Sequence, residues 1–324
     1  MYDVVAFGEV LIDFAKVGSS DGFPVMAARP GGAPANCLAA LSNFKKRVAF
    51  IGKVGKDQFG ELLKNSLEEF KIDTSNLLID DEYFTTLAFV DIDESGDRKF
   101  SFARKPGADT QIKMSEIDLS MIDNTKIFHF GTLSMCKEPA LSTTMRLVEY
   151  AKEKGKLISF DPNLRELLWE DLNEAKKAFE YGFKHANIVK ISLEEAQFFF
   201  GKGKTAQDYA KEMIDTFNTD LVFVTCDKDG VYAKTKNIEG HYKAHPYIKP
   251  VDTTGAGDIF MGSALSVLLN INIPIKALTE VELNDICTFA NIAAGLSTQE
   301  IGGMSSVPSL DYVLRELEII KNLW

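Results

Sequence analysis

Residues 251–265 read VDTTGAGDIFMGSAL, placing Gly255, Ala256 and Gly257 directly before Asp258 and an apolar helical run. The first N–H groups of a helix have no intrahelical acceptor, and the helix dipole makes that end partially positive. Gly-Ala-Gly leaves those amides unobstructed, so the turn reads as a cradle for an anion. A carboxylate beside a bound anion is repelled unless its task is to take a proton from an attacking hydroxyl. Phosphoryl transfer needs that pairing of an anion hole with a base. On these residues alone, a glycine-rich turn followed by an ordinary first-turn acid reads equally well.

The rest of the chain narrows the choice. It has 324 residues, 45% hydrophobic and 26% charged, with a formal net charge of -11. That composition suits one large α/β domain, and the negative surface disfavours nucleic acid as a partner. Cys37, Cys136, Cys226 and Cys287 lie far apart without a CxxC pair and read as reduced core thiols. The start MYDVVAFGEVLIDF lacks a basic segment, and no apolar run approaches the ~20 residues of a membrane helix. The expectation is a cytoplasmic protein with no membrane partner.

Short apolar runs, YDVVAFG, VAFIG, KIFHFG, KLISFD, NIVKI and LVFVT, read as buried strands. Amphipathic stretches between them, such as 138–154 and 173–185, read as helices, so a parallel sheet flanked by helices is expected. Two regions break the alternation. Residues 10–30 give a strand start and then a Gly/Ser/Pro-rich loop, and residues 85–105 give two strands around DESGD. Both are assigned to a small sheet standing off the body, with lid segments at about 10–30 and 85–110 of a single domain spanning 1–324. The C-terminal third reads as mostly helical, ending in LDYVLRELEIIKNL.

A second glycine-rich element, PGGAPANCLAAL at 30–41, offers Gly31 and Gly32 for close backbone approach and Asn36 as a donor-acceptor pair. Asp13 follows the first strand. Together Asp13 and Asn36 could read vicinal hydroxyls, although each alone also reads as a turn residue or a cap. FFFGKGKT is rejected as a phosphate loop because Phe198 stands where the first glycine is required. HYKAH lacks the glutamate of a zinc-protease helix, and its alternation suits a strand. No GxGxxG follows the first strand, which counts against a dinucleotide fold.

Taken together, PGGAPAN and DTTGAGD resemble the two signatures of the ribokinase-like, or PfkB, family of sugar and nucleoside kinases. FGEVLIDF, FIGKVGKDQFG, FARKPGAD, IFHFGTLS, DPNLR and TFANIAAGLSTQEIGG stand before, between and after them in the family's order and look most like fructokinases. The resemblance implies a three-layer α/β/α sandwich whose central, mainly parallel sheet has eight or nine strands, with a small β-sheet lid over the sugar. It implies ATP as donor, Mg2+ between the phosphates, and often a stimulatory K+ ion near the anion loop.

Residue by residue, the resemblance makes Asp258 the base and Gly255, Ala256 and Gly257 the anion hole. Arg165 and Asn163 fall near the transferred phosphate. Asp13, Gly31, Gly32, Asn36, Arg104, Gly107 and Asp109 fall on the sugar side. Lys190, Ser192, Thr225, Gly230 and Asn291 fall on the nucleotide side, with Glu195 organising Mg2+ through water. Ser192 and Glu195 also fit a capping box, and the two readings are compatible. Asp252 and Thr254 fall at the K+ site, although GGMSSVP at 302–308 departs from the commoner pattern there.

The activity so implied is transfer of the γ-phosphoryl group of ATP to O6 of D-fructose. The nearest alternative is a 2-keto-3-deoxygluconate kinase. Such relatives tend to carry tyrosine beside the lid arginine, where this chain has Phe102 and Ala103. A catalytically silent binding protein would be expected to lose the glycines or the base, and both are intact. The exposed edges of a small lid sheet also suit a homodimer.

Overall fold

The computed structural model describes residues 1–92 and 98–321. In chain order, β1 (Tyr2–Phe7) leads into a hairpin of β2 (Leu11–Ser20) and β3 (Phe23–Gly31). Then come α1 (Ala33–Asn43), β4 (Val48–Gly55), α2 (Gln58–Glu69), β5 (Asp73–Asp80), and the pair β6 (Leu87–Ile92) and β7 (Arg98–Ala103). The middle of the chain runs α3 (Ser120–Asp123), β8 (Thr125–Phe130), α4 (Ala140–Glu153), β9 (Leu157–Phe160), α5 (Leu172–His185) and β10 (Ile188–Ser192). The last part comprises α6 (Leu193–Phe200), α7 (Ala206–Phe217), β11 (Leu221–Thr225), β12 (Val231–Thr235), β13 (Glu239–Tyr242), α8 (Ala256–Ile271), α9 (Glu280–Ser297) and α10 (Leu310–Lys321).

Nine strands form the main sheet in the order β13-β12-β11-β10-β9-β8-β1-β4-β5. It is parallel from β5 to β11, and the two strands beyond β11 run antiparallel. Alternate residues of β1 show why this strand is central. Val4 and Ala6 enter the core beneath α1, α8 and α9, while Val5 and Phe7 enter the core beneath α4, α5 and α7. A strand buried on both faces must read as a continuous apolar run, as this one does. The chain winds from β1 to β4 and β5 on one side, then returns to β8 and continues the other way. The crevice at the carboxyl ends of such a switch point is where open α/β sheets hold ligands.

The second sheet has four strands in the order β3-β2-β6-β7. Residues 23–31, read from the sequence as loop, are a strand. Asp21 and Gly22 both have positive φ, 52° and 82°, which suits a tight hairpin turn. Pro24 and Pro30 are tolerated because β3 is the sheet's edge, where a missing N–H removes no required ladder bond. The DESGD turn at 93–97 lies outside the described residues. Phe14 on β2 stacks on Phe89 of β6 at 5.2 Å and meets Phe59 of α2 edge-on at 5.6 Å, anchoring the lid's root to the body.

Besides β3, the strands β5 and β12 were not anticipated from the sequence, and β13 only through the strand reading of HYKAH, whose first two residues close it. Of the four free cysteines, Cys37 and Cys287 are core thiols, while Cys136 and Cys226 are half-buried. Among the described residues no helix is long and apolar enough to cross a membrane.

Candidate active site

A continuous cavity of about 1310 Å3 opens at the carboxyl ends of β1 and β8 to β11, beneath the lid. At its centre lies Asp258, 5% exposed on the first turn of α8. Its two carboxylate oxygens are held separately. Asn36 Nδ2 donates to Oδ2 at 2.8 Å and Asn163 Nδ2 to Oδ1 at 2.9 Å. Asn36 and Asn163 are thus positioning groups for the acid, whereas the sequence placed one on the sugar and the other near the phosphate. Burial raises the Asp258 carboxyl above its usual range, against the pull of Asn36, Lys190, Arg165 and Asn163.

Gly255 caps α8 in the left-handed region, with φ 77° and ψ -4°. A Cβ there would lie 2.9 Å from the Cα of Gly303, so loop 302–303 backs the turn directly. The Ala256 N–H donates to the Thr253 carbonyl at 3.3 Å. This corrects the sequence reading: among the described residues, the amides left open are those of Gly255, Gly257 and Asp258. A Cβ on Gly257 would stand 2.8 Å from Lys190 Nζ, so its missing side chain makes room for a cation as well as for an anion.

Lys190, near the end of β10, is 4% exposed and pairs with Asp161, after β9, at 3.0 Å and 3.1 Å. Burial opposes the lysine's charge, yet Asp161, Glu195 and Asp258 together hold it protonated above its ordinary range. Burial also pushes the Asp161 carboxyl up, with Lys190 opposing. Asp161 was given no role in the sequence reading, although it opens the DPNLR block that supplied Asn163 and Arg165. Arg165 lines the cavity, and among the described residues its Nη1 donates only to the neighbouring Leu164 carbonyl, at 3.1 Å.

On the lid side, Asp13 lines the cavity with no protein hydrogen-bond partner for its carboxylate among the described residues. Burial pushes it up to about 6, opposed by Arg165 and reinforced by Asp258 and Asp252. Gly31 lies behind it, since a Cβ there would meet Asp13 Oδ2 at 2.2 Å, and Gly32 lines the cavity as the cap of α1. Glu9, 2% exposed, also faces the cavity and was not singled out from the sequence. Burial raises its carboxyl to about 7, against its own backbone N–H, Arg104 and the Ala33 N–H.

Other expectations are corrected. Arg104, Gly107 and Asp109 do not line the cavity. Arg104 Nε and Nη2 both bond Asp109 Oδ2, and Nη2 also donates to the Leu133 carbonyl at 2.9 Å. Gly107 is packed against Thr86. The three residues form a buried strut beneath β7.

Ser192 and Glu195 form the capping box of α6, and the second Glu195 oxygen accepts from the Leu164 N–H at 2.7 Å. Glu195 thereby ties the 162–165 loop to α6. Asn291 Nδ2 donates to the carbonyls of Tyr242 and Lys243, fixing the far wall of the cavity. Thr225 and Gly230 line the same end. Gly230 is there because a Cβ would meet the Tyr242 carbonyl at 2.1 Å. Asp252 accepts from the Thr254 N–H and hydroxyl at 2.9 Å and 2.7 Å, and from the Gly302 N–H at 3.0 Å. Asp252 thereby acts as a cross-link between two loops.

Residues 1–310 match the family described as pfkB family carbohydrate kinase. The chain is 37% identical over 312 residues to the probable fructokinase-2 of Arabidopsis thaliana, covering 94% of this chain and 93% of that protein. It is 34% identical to fructokinase-2 of Solanum lycopersicum, over 97% of this chain and 96% of that protein. Among solved structures it is similar to the ATP-bound fructokinase of Xylella fastidiosa, with TM-score 0.91 and 26% identity over 99% and 100% of the two chains. The fructokinase of Vibrio cholerae bound to fructose, ADP and calcium gives TM-score 0.84 and 30% identity over 97% and 98%.

Proposed function

The chain belongs to the pfkB family of carbohydrate kinases, and from that premise we propose that it transfers the γ-phosphoryl group of ATP to the 6-hydroxyl of D-fructose. The observation that carries the reading is the Asp258 arrangement: a buried carboxylate bracketed by two amides, beside open helix-end N–H groups, in one cavity with Asp13, whose carboxylate has no protein hydrogen-bond partner among the described residues.

Each carboxylate oxygen of Asp258 already accepts one amide, so its free lone pairs are fixed in direction. An acceptor hydroxyl placed on them is aimed at the anion turn. As the O6–P bond forms and the bond from the γ-phosphorus to the β–γ bridging oxygen breaks, ADP leaves and the hydroxyl proton passes to Asp258. In a loose transition state that proton leaves late, so aim matters more than basicity. The amides of Gly255, Gly257 and Asp258, with Lys190 beside Gly257, receive the charge of the moving phosphoryl group. Arg165 supplies a second cation with few internal ties. Asp13, short of donors, accepts sugar hydroxyls. The lid covers the sugar and excludes water, whose attack would hydrolyse ATP.

Mg2+ is implied by the family. It binds chiefly to phosphate oxygens and water, and supplies charge neutralisation there. Glu195 faces the cavity but uses both oxygens on backbone N–H groups, so it fits a contact through water and not a direct one.

The test is ADP release with ATP, Mg2+ and a panel of D-fructose, 2-keto-3-deoxygluconate, D-ribose and D-glucose, with phosphorus NMR of the product. Fructose should give the highest kcat/KM and a 6-phosphate. A higher kcat/KM for another sugar, or a 1-phosphate product, would refute the assignment.

A further inference from the structure

The loop after β1 carries a buried acid that the transfer step does not use. Glu9 lines the cavity with Leu11, Gly32 and Leu133, yet it is 2% exposed. Its Oε1 accepts from the Ala33 N–H at 2.9 Å, and its own backbone N–H also leans on the carboxylate. A carboxylate accepts up to about four hydrogen bonds, so acceptor capacity remains on the cavity side. A buried carboxylate with few donors is unfavourable, and hydroxyl groups are the neutral ligands that relieve it.

Helix α1 locates Glu9 relative to Asp258. Ala33, its first residue, holds Glu9, and Asn36 holds Asp258. Both acids are therefore anchored to the first turn of one helix and line the same cavity. With the reacting C6 end at Asp258, the C1 and anomeric end of a ketohexose falls toward Glu9.

We propose that Glu9 is a specificity-determining sugar contact, accepting hydrogen bonds from the hydroxyls at the C1 and anomeric end of the ketohexose. This rests on the fructose reading of the same site and adds which end of the sugar is read and by what. Arg104, strapped to Asp109 and Leu133, is the nearby positive charge that opposes the effect of burial on the Glu9 carboxyl, with Asp109 acting against it.

The experiment compares the native chain with Glu9→Gln, on D-fructose, 1-deoxy-D-fructose and 2,5-anhydro-D-mannitol. The two analogues lack the C1 and the anomeric hydroxyl respectively. Glutamine keeps an acceptor for the Ala33 N–H, so a purely structural role predicts little change. The expected result is a fructose KM raised tenfold or more, a kcat lowered less than threefold, and an ATP KM altered less than twofold. The native chain should disfavour at least one analogue tenfold or more, and E9Q should lose that preference. An E9Q chain retaining both the native fructose KM and the analogue preference overturns the proposal. Should E9Q not fold, as judged by its thermal melt, the native chain decides: a preference below tenfold for fructose over both analogues overturns it. Native turnover of fructose is measured first, so failure of the kinase reading is seen separately from failure of the Glu9 assignment.

Discussion

Replacing Gly257 by alanine should separate stability from catalysis. Gly257 is not among the positive-φ glycines, so alanine fits its backbone. Exchanging glycine for alanine in a helix favours folding by about 0.5–1 kcal/mol. For 324 residues the unfolding entropy is about 0.7 kcal/mol/K, so Tm should rise by about 1 °C before crowding is counted. The new methyl would lie 2.8 Å from Lys190 Nζ and 3.4 Å from its Cε. Nζ must therefore withdraw by about half an ångström or more to reach ordinary contact, although Asp161 grips it at 3.0 Å and 3.1 Å. The same methyl obstructs the open amides of the turn. Losing one preorganised donor to a transition-state anion lowers kcat by about 10²–10³. Melting curves and the ADP-release assay read both quantities on one preparation. A kcat within threefold of native would refute the placement of the phosphoryl group at this turn. A Tm lowered by more than about 3 °C would refute the claim that the lysine end can give way.

Three further outcomes follow. Asp258→Asn should lower kcat by about 10²–10⁴ while sugar and nucleotide still bind by calorimetry, and its Tm should rise because a buried ionised carboxyl is removed. Asp13 and Glu9, raised to about 6 and about 7, accept hydroxyls best when ionised, so kcat/KM for fructose should fall as pH drops through 7 to 5. Asp13→Asn should weaken fructose binding tenfold or more and remove part of that limb in a pH profile. Glu195→Ala removes acceptors from the Ser192 and Leu164 N–H groups. It should destabilise the fold by about 1–2 kcal/mol, or about 2 °C in Tm, while glutamine restores part of the loss.

The sequence showed the body of the fold because β1, β4 and β8 to β11 are largely buried on both faces and read as short, mainly apolar runs, with isolated polar residues such as Lys53, His129 and Lys190 that are themselves buried. β5, DTSNLLID, escaped notice because it is an edge strand of mixed burial. β3 was hidden by its prolines, which mark an edge as readily as a loop. The acid and glycines of the anion turn were legible because they are contiguous. Their support was not, since Asn36 and Asn163 reach Asp258 from 222 and 95 residues away. Glu9 and Asp161 stood inside recognised blocks, yet only tertiary burial distinguishes them from turn residues. Arg104 erred the other way: a cation in a lid motif suggested a ligand, and the fold gave it Asp109 as a partner.

The two glycine-capped helices, α1 and α8, explain how one cavity accepts a neutral sugar and a charged phosphate side by side. Both aim an N-terminus, with its unpaired amides and partial positive charge, into the same space. At α1 the protein answers that charge itself, because Glu9 accepts the first helical N–H. An incoming anion would meet a carboxylate there, whereas hydroxyl donors meet an acceptor. At α8 the first-turn acid, Asp258, is turned aside onto two asparagine amides, so the Gly257 and Asp258 N–H groups stay unfilled. With Lys190 alongside, that end attracts negative charge in a chain whose net charge would otherwise repel it. The selectivity therefore lies in what each acid does with its own helix end: one neutralises it, the other leaves it open.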